Sequence, residues 1–278
     1  MLQIITDSAA DLPPEIVEKY NIHVVPLTVN IDGKEYIDGV DLSPQGFYHK
    51  MSTSKNLPKT SQPPVAAFGK VFQELDSKGD LLCINISSKL SGTYQTACLA
   101  AKEMSDVDVA VFDSWAAALG QGLQVVKAAG LAEKGLSRAE IIDKLTEYRN
   151  NMNILILLDS LENIVKGGRL SKFQGSLAKL LNIKVLLKGV EGAVVMSNRI
   201  HGRKKALQRV MEIAIDKVRE GKGISTKTFG ISHCNNIKDA EFLKEQFMEQ
   251  YQSCNVIVND MGTTLATYAG LGGMVISF

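Results

Sequence analysis

Short apolar runs alternate along this chain with longer stretches whose apolar positions recur at helical spacing. Gln3–Thr6 is an apolar run stopped by Asp7-Ser8, and a helix with proline in its first turn is predicted near Pro13–Tyr20. Val24–Ile31 and Lys34–Ile37 flank Asp32-Gly33, a dipeptide suited to the positive φ angles of a hairpin turn. Ser43-Pro44 opens a short helix, serine as cap and proline in the first turn. Further on, a helix is expected from about Pro64 to Ser77, a strand over Leu81–Ile86 and a helix from Ser91 to about Met104. A strand over Val107–Phe112 ends in Asp113-Ser114, and a long helix is predicted from about Trp115 to Lys134. Ser137-Arg138-Ala139-Glu140 has the spacing of a capping box and starts one more helix, to about Asn150.

This alternation predicts a parallel sheet with helices on both faces. In such sheets ligands bind beyond the carboxyl ends of the strands, where Asp7-Ser8, Ser87-Ser88 with Ser91, and Asp113-Ser114 all fall. After Arg149-Asn150-Asn151, a polar break, the rhythm changes. A strand over Ile154–Leu158 precedes helical segments from about Glu162 to Leu181. Ile183–Lys188 and Ala193–Asn198 then read as a hairpin around a Gly189–Gly192 turn. A helix from Arg203 to about Glu220 follows, then strand Thr228–Ser232, helix Ile237–Tyr251, strand Asn255–Asn259, a short helix near Thr264–Tyr268 and a last strand, Met274–Phe278. A hairpin inside an alternating pattern implies a mixed sheet. The expected fold is therefore α/β with two domains, a three-layer N-terminal domain with a parallel sheet (1–151) and a two-layer C-terminal domain with a mixed sheet (152–278).

Composition narrows the function classes. The chain has 278 residues, 45% of them apolar and 22% charged, with a net charge of +1, so no global field recruits nucleic acid. The four cysteines are scattered without a C-x-x-C pair and the four histidines do not cluster, so no metal site is expected. Asp7 interrupts the N-terminal apolar run far too early for a signal peptide, and no purely apolar stretch is longer than Ile154–Leu158, a strand length. A cytoplasmic protein without stable membrane insertion is expected.

Two hydroxyl-rich segments carry the candidate chemistry: Lys59-Thr60-Ser61-Gln62-Pro63 and Ser87-Ser88-Lys89-Leu90-Ser91-Gly92-Thr93, each expected to open onto a helix start. Serine and threonine before a helix can be caps and nothing more. They can also add O–H donors to unpaired helix N–H groups and so hold an anion, through Thr60, Ser61, Ser91 and Thr93. No acid or histidine stands beside them, which suits binding better than reaction. The strings K-T-S-Q-P and S-S-K-L-S-G-T-Y resemble the two fatty-acid headgroup motifs of the DegV family, which includes the fatty-acid-binding subunits of bacterial fatty acid kinase. The resemblance continues through T-D-S-A-A-D-L, K-G-G-R-L-S and K-K-A-L and so spans essentially the whole chain.

That resemblance implies a long-chain fatty acid such as palmitate as ligand, no cofactor, no catalytic residue, and a separate kinase as partner that converts the presented carboxylate to an acyl phosphate. It implies headgroup contacts from Thr60, Ser61, Ser91, Gly92 and Thr93, and favours Arg169 turned toward the ligand crevice or a partner over the other reading of Lys166-Gly167-Gly168-Arg169, a helix C-cap at Gly167 with Arg169 exposed. Tyr268 and His201 stand where relatives usually carry a histidine and an arginine; either could still supply a donor. A fold similar to the substrate-binding part of dihydroxyacetone kinases is also implied. The alternative is a stand-alone phosphotransferase or hydrolase acting on a small anionic substrate. It needs a base, a metal or a nucleotide loop, yet Gly221-Lys222-Gly223 lacks P-loop spacing and Gly270-Leu271-Gly272-Gly273 is not G-x-G-x-x-G. His233-Cys234, adjacent on a strand, point to opposite faces and read as a core cysteine beside a surface histidine. Arg199, His201, Arg203, Lys204 and Lys205 form the densest basic stretch. It reads either as solvated surface charge or as a surface for a phosphate or an acidic partner, because cations at a helix start oppose the dipole.

Overall fold

The computed structural model of the chain describes residues 2–104, 106–170, 182–220, 228–251 and 254–278. In chain order the elements are β1 (Gln3–Asp7), α1 (Pro14–Lys19), β2 (His23–Val25), β3 (Thr28–Ile31), β4 (Lys34–Ile37), α2 (Pro44–Thr53), β5 (Lys59–Ser61), α3 (Val65–Leu75), β6 (Leu81–Asn85), α4 (Thr93–Glu103), β7 (Val109–Asp113), α5 (Leu119–Glu133) and α6 (Arg138–Asn151). The second half adds β8 (Ile154–Leu158), α7 (Glu162–Lys166), β9 (Ile183–Val190), β10 (Ala193–His201), α8 (Arg203–Arg219), β11 (Thr228–His233), α9 (Ile237–Gln250), β12 (Asn255–Asp260), α10 (Thr263–Ala269) and β13 (Met274–Ser277).

The first sheet is parallel, in the order β2-β1-β6-β7. Alternate residues of its strands face two helical layers. Ile4, Leu82, Ile84 and Phe112 pack with Val125 and Ala128 of α5 and Ile141 and Leu145 of α6. Ile5, Leu81 and Cys83 pack on the other face against Phe68 and Phe72 of α3 and Ala97 and Ala100 of α4. The second sheet is mixed, in the order β10-β9-β8-β13-β11-β12. Leu155, Leu157, Leu186, Phe229 and Ile231 bury one face of it under α8 and α9. The α/β class with one parallel and one mixed sheet is thus as the sequence predicts.

A third, antiparallel sheet, β4-β3-β5, was not foreseen. It is built from the predicted Asp32-Gly33 hairpin (φ 51° and 84°) and from Lys59–Ser61, which runs as a strand beside β3. Its Val29, Ile31 and Tyr36 share one core with Ile156, Leu158 and Leu187 on the other face of the mixed sheet, and Phe47 and Tyr48 of α2 join them. Early residues therefore cover the later sheet.

Two boundaries shift for local reasons. The helix expected from Trp115 begins only at Leu119, because Trp115 and Ala118 are left-handed (φ 53° and 57°). The intervening loop clasps strand ends instead: Ser87 N donates to Ala116 O at 2.8 Å and Ala118 N to Ala9 O at 2.8 Å. The hairpin turn is the pair Glu191-Gly192 (φ 48° and 82°), and Ser87 Oγ donates to Gly192 O at 2.7 Å, tying the mixed sheet's hairpin to the edge of the parallel one. The capping box at Ser137 and Glu140 is formed as predicted. Of the helical segment expected over Glu162–Leu181, α7 is observed, and 171–181 lie outside the described residues, as does Gly221-Lys222-Gly223.

Candidate functional site

The carboxyl ends of β2 and β6, strand β5, the loop before α5, one face of the mixed sheet and α10 line a cavity of about 90 Å³. Its walls are apolar, with Leu27, Ile86, Leu158, Ile164, Val194 and Leu265 among them. Four polar side chains lie together there, Thr60, Ser91, Arg169 and Tyr268, and a fifth, Thr264 of α10, lines the wall with its Oγ1 buried and without a hydrogen-bond partner among the described residues.

Each arrives there by a separate local device. Thr60 is the middle residue of β5, so strand alternation turns it inward while Lys59 and Ser61 remain exposed. Thr60 Oγ1 and Tyr268 Oη lie 2.6 Å apart. Ser91 sits two residues before α4, where its Oγ accepts from Thr93 N at 3.3 Å and lies 2.8 Å from Thr93 Oγ1. Gly92 makes the approach of the two hydroxyl-rich segments possible: a Cβ there would fall 2.0 Å from Gln62 Oε1. Gln62 reaches across to donate to Thr96 Oγ1 at 2.7 Å.

Arg169 is positioned by the two glycines before it. Gly168, at φ 72°, ends α7 in a left-handed turn; its N–H donates to Val165 O and Arg169 N to Ile164 O, each at 3.0 Å. Gly167 leaves room for the Tyr268 ring, which a Cβ would meet at 2.5 Å. The guanidinium stacks over that ring at 4.9 Å and donates from Nε to Leu90 O at 3.1 Å and from Nη1 to Gly167 O at 2.6 Å. Among the described residues it has no carboxylate partner.

Tyr268 in turn depends on how α10 is seated. Gly262 N donates to Asp11 Oδ1 at 2.9 Å, and Thr263 N and Oγ1 both donate to Asp38 Oδ1 at 2.8 Å. Two carboxyls so converge on one helix start, and burial followed by the neighbouring Asp38 charge pushes the Asp11 carboxyl well above its ordinary range. Asp7 is likewise pushed up by burial while it accepts from Ile86 N at 2.8 Å and Ala9 N at 3.1 Å, fastening the strand ends.

The DegV family model, described as an uncharacterised protein family, matches residues 1–278. The chain belongs to the DegV family. It is 36% identical to the DegV domain-containing protein YejH of Lactococcus lactis over 279 residues, covering 99% of this chain and 98% of that one. Among solved structures it is similar to a DegV family protein of Thermus thermophilus described by its fatty acid binding, with TM-score 0.90 and 30% identity over 99% of this chain and 98% of that one. DegV of Bacillus subtilis, described as a fatty acid binding protein, gives TM-score 0.90 and 29% identity over 99% and 98% of the two chains.

Other residues singled out in this DegV chain lie elsewhere. Ser61 is exposed, and Thr93 is fully buried behind Ser91. His201 is exposed at the last position of β10, opposite Ile183, and does not line the cavity. Arg203, expected to need an outside anion, finds two inside: Nε donates to Asp239 Oδ2 at 2.6 Å and Nη1 to Asp159 Oδ1 at 2.9 Å. These partners come from α9 and from the end of β8, which corrects the idea that Arg203 faces a partner. His233 is not a surface residue either. It is buried, 3.4 Å from Asp260 Oδ1, and burial lowers its pKa. Cys234 is buried and its thiol is pushed up to about 12, chiefly by desolvation, so no reactive thiolate forms. Among the described residues no group of acids, histidines or cysteines could hold a metal, and no helix is long and apolar enough to cross a membrane.

The sequence reading missed Gln62, Leu27 and the loop 115–118 as parts of the site. Only the glycine in S-G-T hinted that something must approach closely there.

Proposed function

We propose that this chain binds a long-chain fatty acid, tail in the apolar cavity and carboxylate against Thr60 and Ser91, and presents that carboxylate to a separate cytoplasmic kinase. The observation that carries the reading is an apolar cavity at which Thr60, Ser91, Arg169 and Tyr268 lie together. About fifteen buried methylenes at ~0.8 kcal/mol each give a gross term near 12 kcal/mol before ordering costs, so the tail supplies affinity. A carboxylate buried without donors would protonate or be expelled. The hydroxyls answer that need without a base, and Thr60 and Ser91 hold it as binders, not catalysts. The fatty-acid-binding relatives support the ligand class, and the headgroup resemblance supports the division of labour with a kinase.

Mass spectrometry of a denatured extract of the purified chain should release a long-chain fatty acid. No released lipid together with no binding of added palmitate would overturn the reading. Given ATP, magnesium and palmitate, the chain alone should make no acyl phosphate; turnover would return it to the enzymes.

A further inference from the structure

Met261, Thr264, Leu265, Tyr268 and Ala269 line the cavity at helical spacing, so one side of α10 and of the turn before it forms part of the wall. The three threonines of this helix are treated differently. Thr263 Oγ1 donates to Asp38 Oδ1 at 2.8 Å, and Thr267 Oγ1 donates one turn back to Thr263 O at 2.8 Å. Thr264 is only 3% exposed, yet its Oγ1 has no hydrogen-bond partner among the described residues. A helical threonine commonly places its hydroxyl, as Thr267 does, on the carbonyl four residues earlier. For Thr264 that residue is Asp260, which belongs to β12 and not to the helix, and no such bond forms. A buried hydroxyl left in this way destabilises, whereas the methyl of a valine would fill the same space without that cost.

Thr264 stands four residues, or about 6 Å along the helix, from Tyr268. Tyr268 is joined to the headgroup residues by its contacts with Thr60 and Arg169; Thr264 makes no hydrogen bond to any of them. Its hydroxyl therefore belongs to the wall along the tail. Threonine in a helix divides between two χ1 rotamers, so hydroxyl and methyl exchange places at little cost and the oxygen can meet a ligand atom. We infer that Thr264 sets specificity for the tail, and that the cavity takes a long-chain fatty acid bearing a hydroxyl within its chain. Because about 6 Å is spanned by about five carbon–carbon bonds of an extended chain at ~1.5 Å each, that hydroxyl lies roughly five to eight carbons from the carboxyl. Each hydroxyl is donor and acceptor, so one bond satisfies both; against the aliphatic side chains of the wall a tail hydroxyl stays unpaired. The inference deepens the fatty-acid reading and rests on it for the carboxylate and the tail.

The test uses displacement titrations on the full chain with palmitate and a series of monohydroxy palmitates, the hydroxyl moved carbon by carbon along the chain. In the wild type, an isomer hydroxylated about five to eight carbons from the carboxyl should bind about tenfold tighter than the isomer hydroxylated at the tail end. Thr264→Val should abolish that preference. Palmitate, which gives the threonine hydroxyl nothing to bond, should bind Thr264→Val about threefold tighter than wild type. Thr264→Ser keeps the hydroxyl and should restore the isomer preference. A profile that is flat in the wild type, or one that Thr264→Val leaves unchanged, would overturn the inference while palmitate binding keeps the fatty-acid reading. A loss on Thr264→Val shared equally by palmitate and the favoured isomer would put this hydroxyl at the carboxylate and overturn the inference as well. Failure of palmitate and of every isomer to bind would remove both readings.

Discussion

Arg169 and Arg203 look alike in the sequence, each a cation beside glycine at a helix boundary, and the fold treats them oppositely. Arg203 is gripped by Asp159 and Asp239 and also donates to Gly272 O at 3.0 Å, so its charge is spent on joining α8, α9 and the loop before β13. Arg169 is held by carbonyl oxygens alone, which fix its direction without cancelling its charge. A charge neutralised by its own chain stabilises; a charge only aimed by its chain awaits a ligand. On the proposed reading, that difference separates a structural arginine from a ligand-facing one.

The comparison breaks most visibly at the hydroxyls that Arg169 overlooks. Thr60→Ala with Ser91→Ala removes two hydrogen bonds to an ionised group, about 1.5 kcal/mol or more each, so palmitate affinity should fall about a hundredfold while the fold stays intact. An affinity within a factor of three of wild type would move the headgroup elsewhere. Arg203→Met should do the reverse. It takes the cation from half-buried Asp239, while exposed Asp159 keeps Lys184 at 3.0 Å, and denaturant unfolding should report a loss of about 1 kcal/mol with palmitate affinity unchanged in the folded protein. A variant as stable as wild type would show that its ion pairs are exposed ornaments. Arg169→Met should leave stability within about 0.5 kcal/mol and weaken palmitate about tenfold, an effect that shrinks as salt is raised. Tyr268→Phe, the mildest, removes one neutral hydrogen bond to Thr60 and should cost about fivefold in affinity, measured by the same titration.

Legibility in the sequence followed the range of the interaction. Caps, turns and periodic runs are local, and so the Ser43-Pro44 helix start, the Asp32-Gly33 turn and the Ser137 capping box were readable residue by residue. Thr60 and Ser91 were legible as hydroxyls but not in their settings. A three-residue strand such as β5 has no periodicity of its own and exists because β3 pairs with it. Arg203 and His233 were misread for a related reason. The carboxylates of Asp159, Asp239 and Asp260 reach them only through the folded sheet, and nothing within a few residues announces it. The placement of His201 beyond the cavity likewise follows from the length of β10, nine residues that carry the side chain to the far end of an edge strand.

The seating of α10 has a kinetic consequence. This seven-residue helix is pinned at its start by Asp11 and Asp38 and at its far end by the Tyr268–Thr60 bond, with residues of the first half of the chain on both sides. A short rod fastened at both ends does not swing aside, so the wall it forms is not a door. On the proposed reading, a long tail must then leave by the headgroup end or wait until one fastening lets go. Residence time on that reading depends on the latch at Thr60 as well as on the apolar wall, because that bond must open before the wall can move.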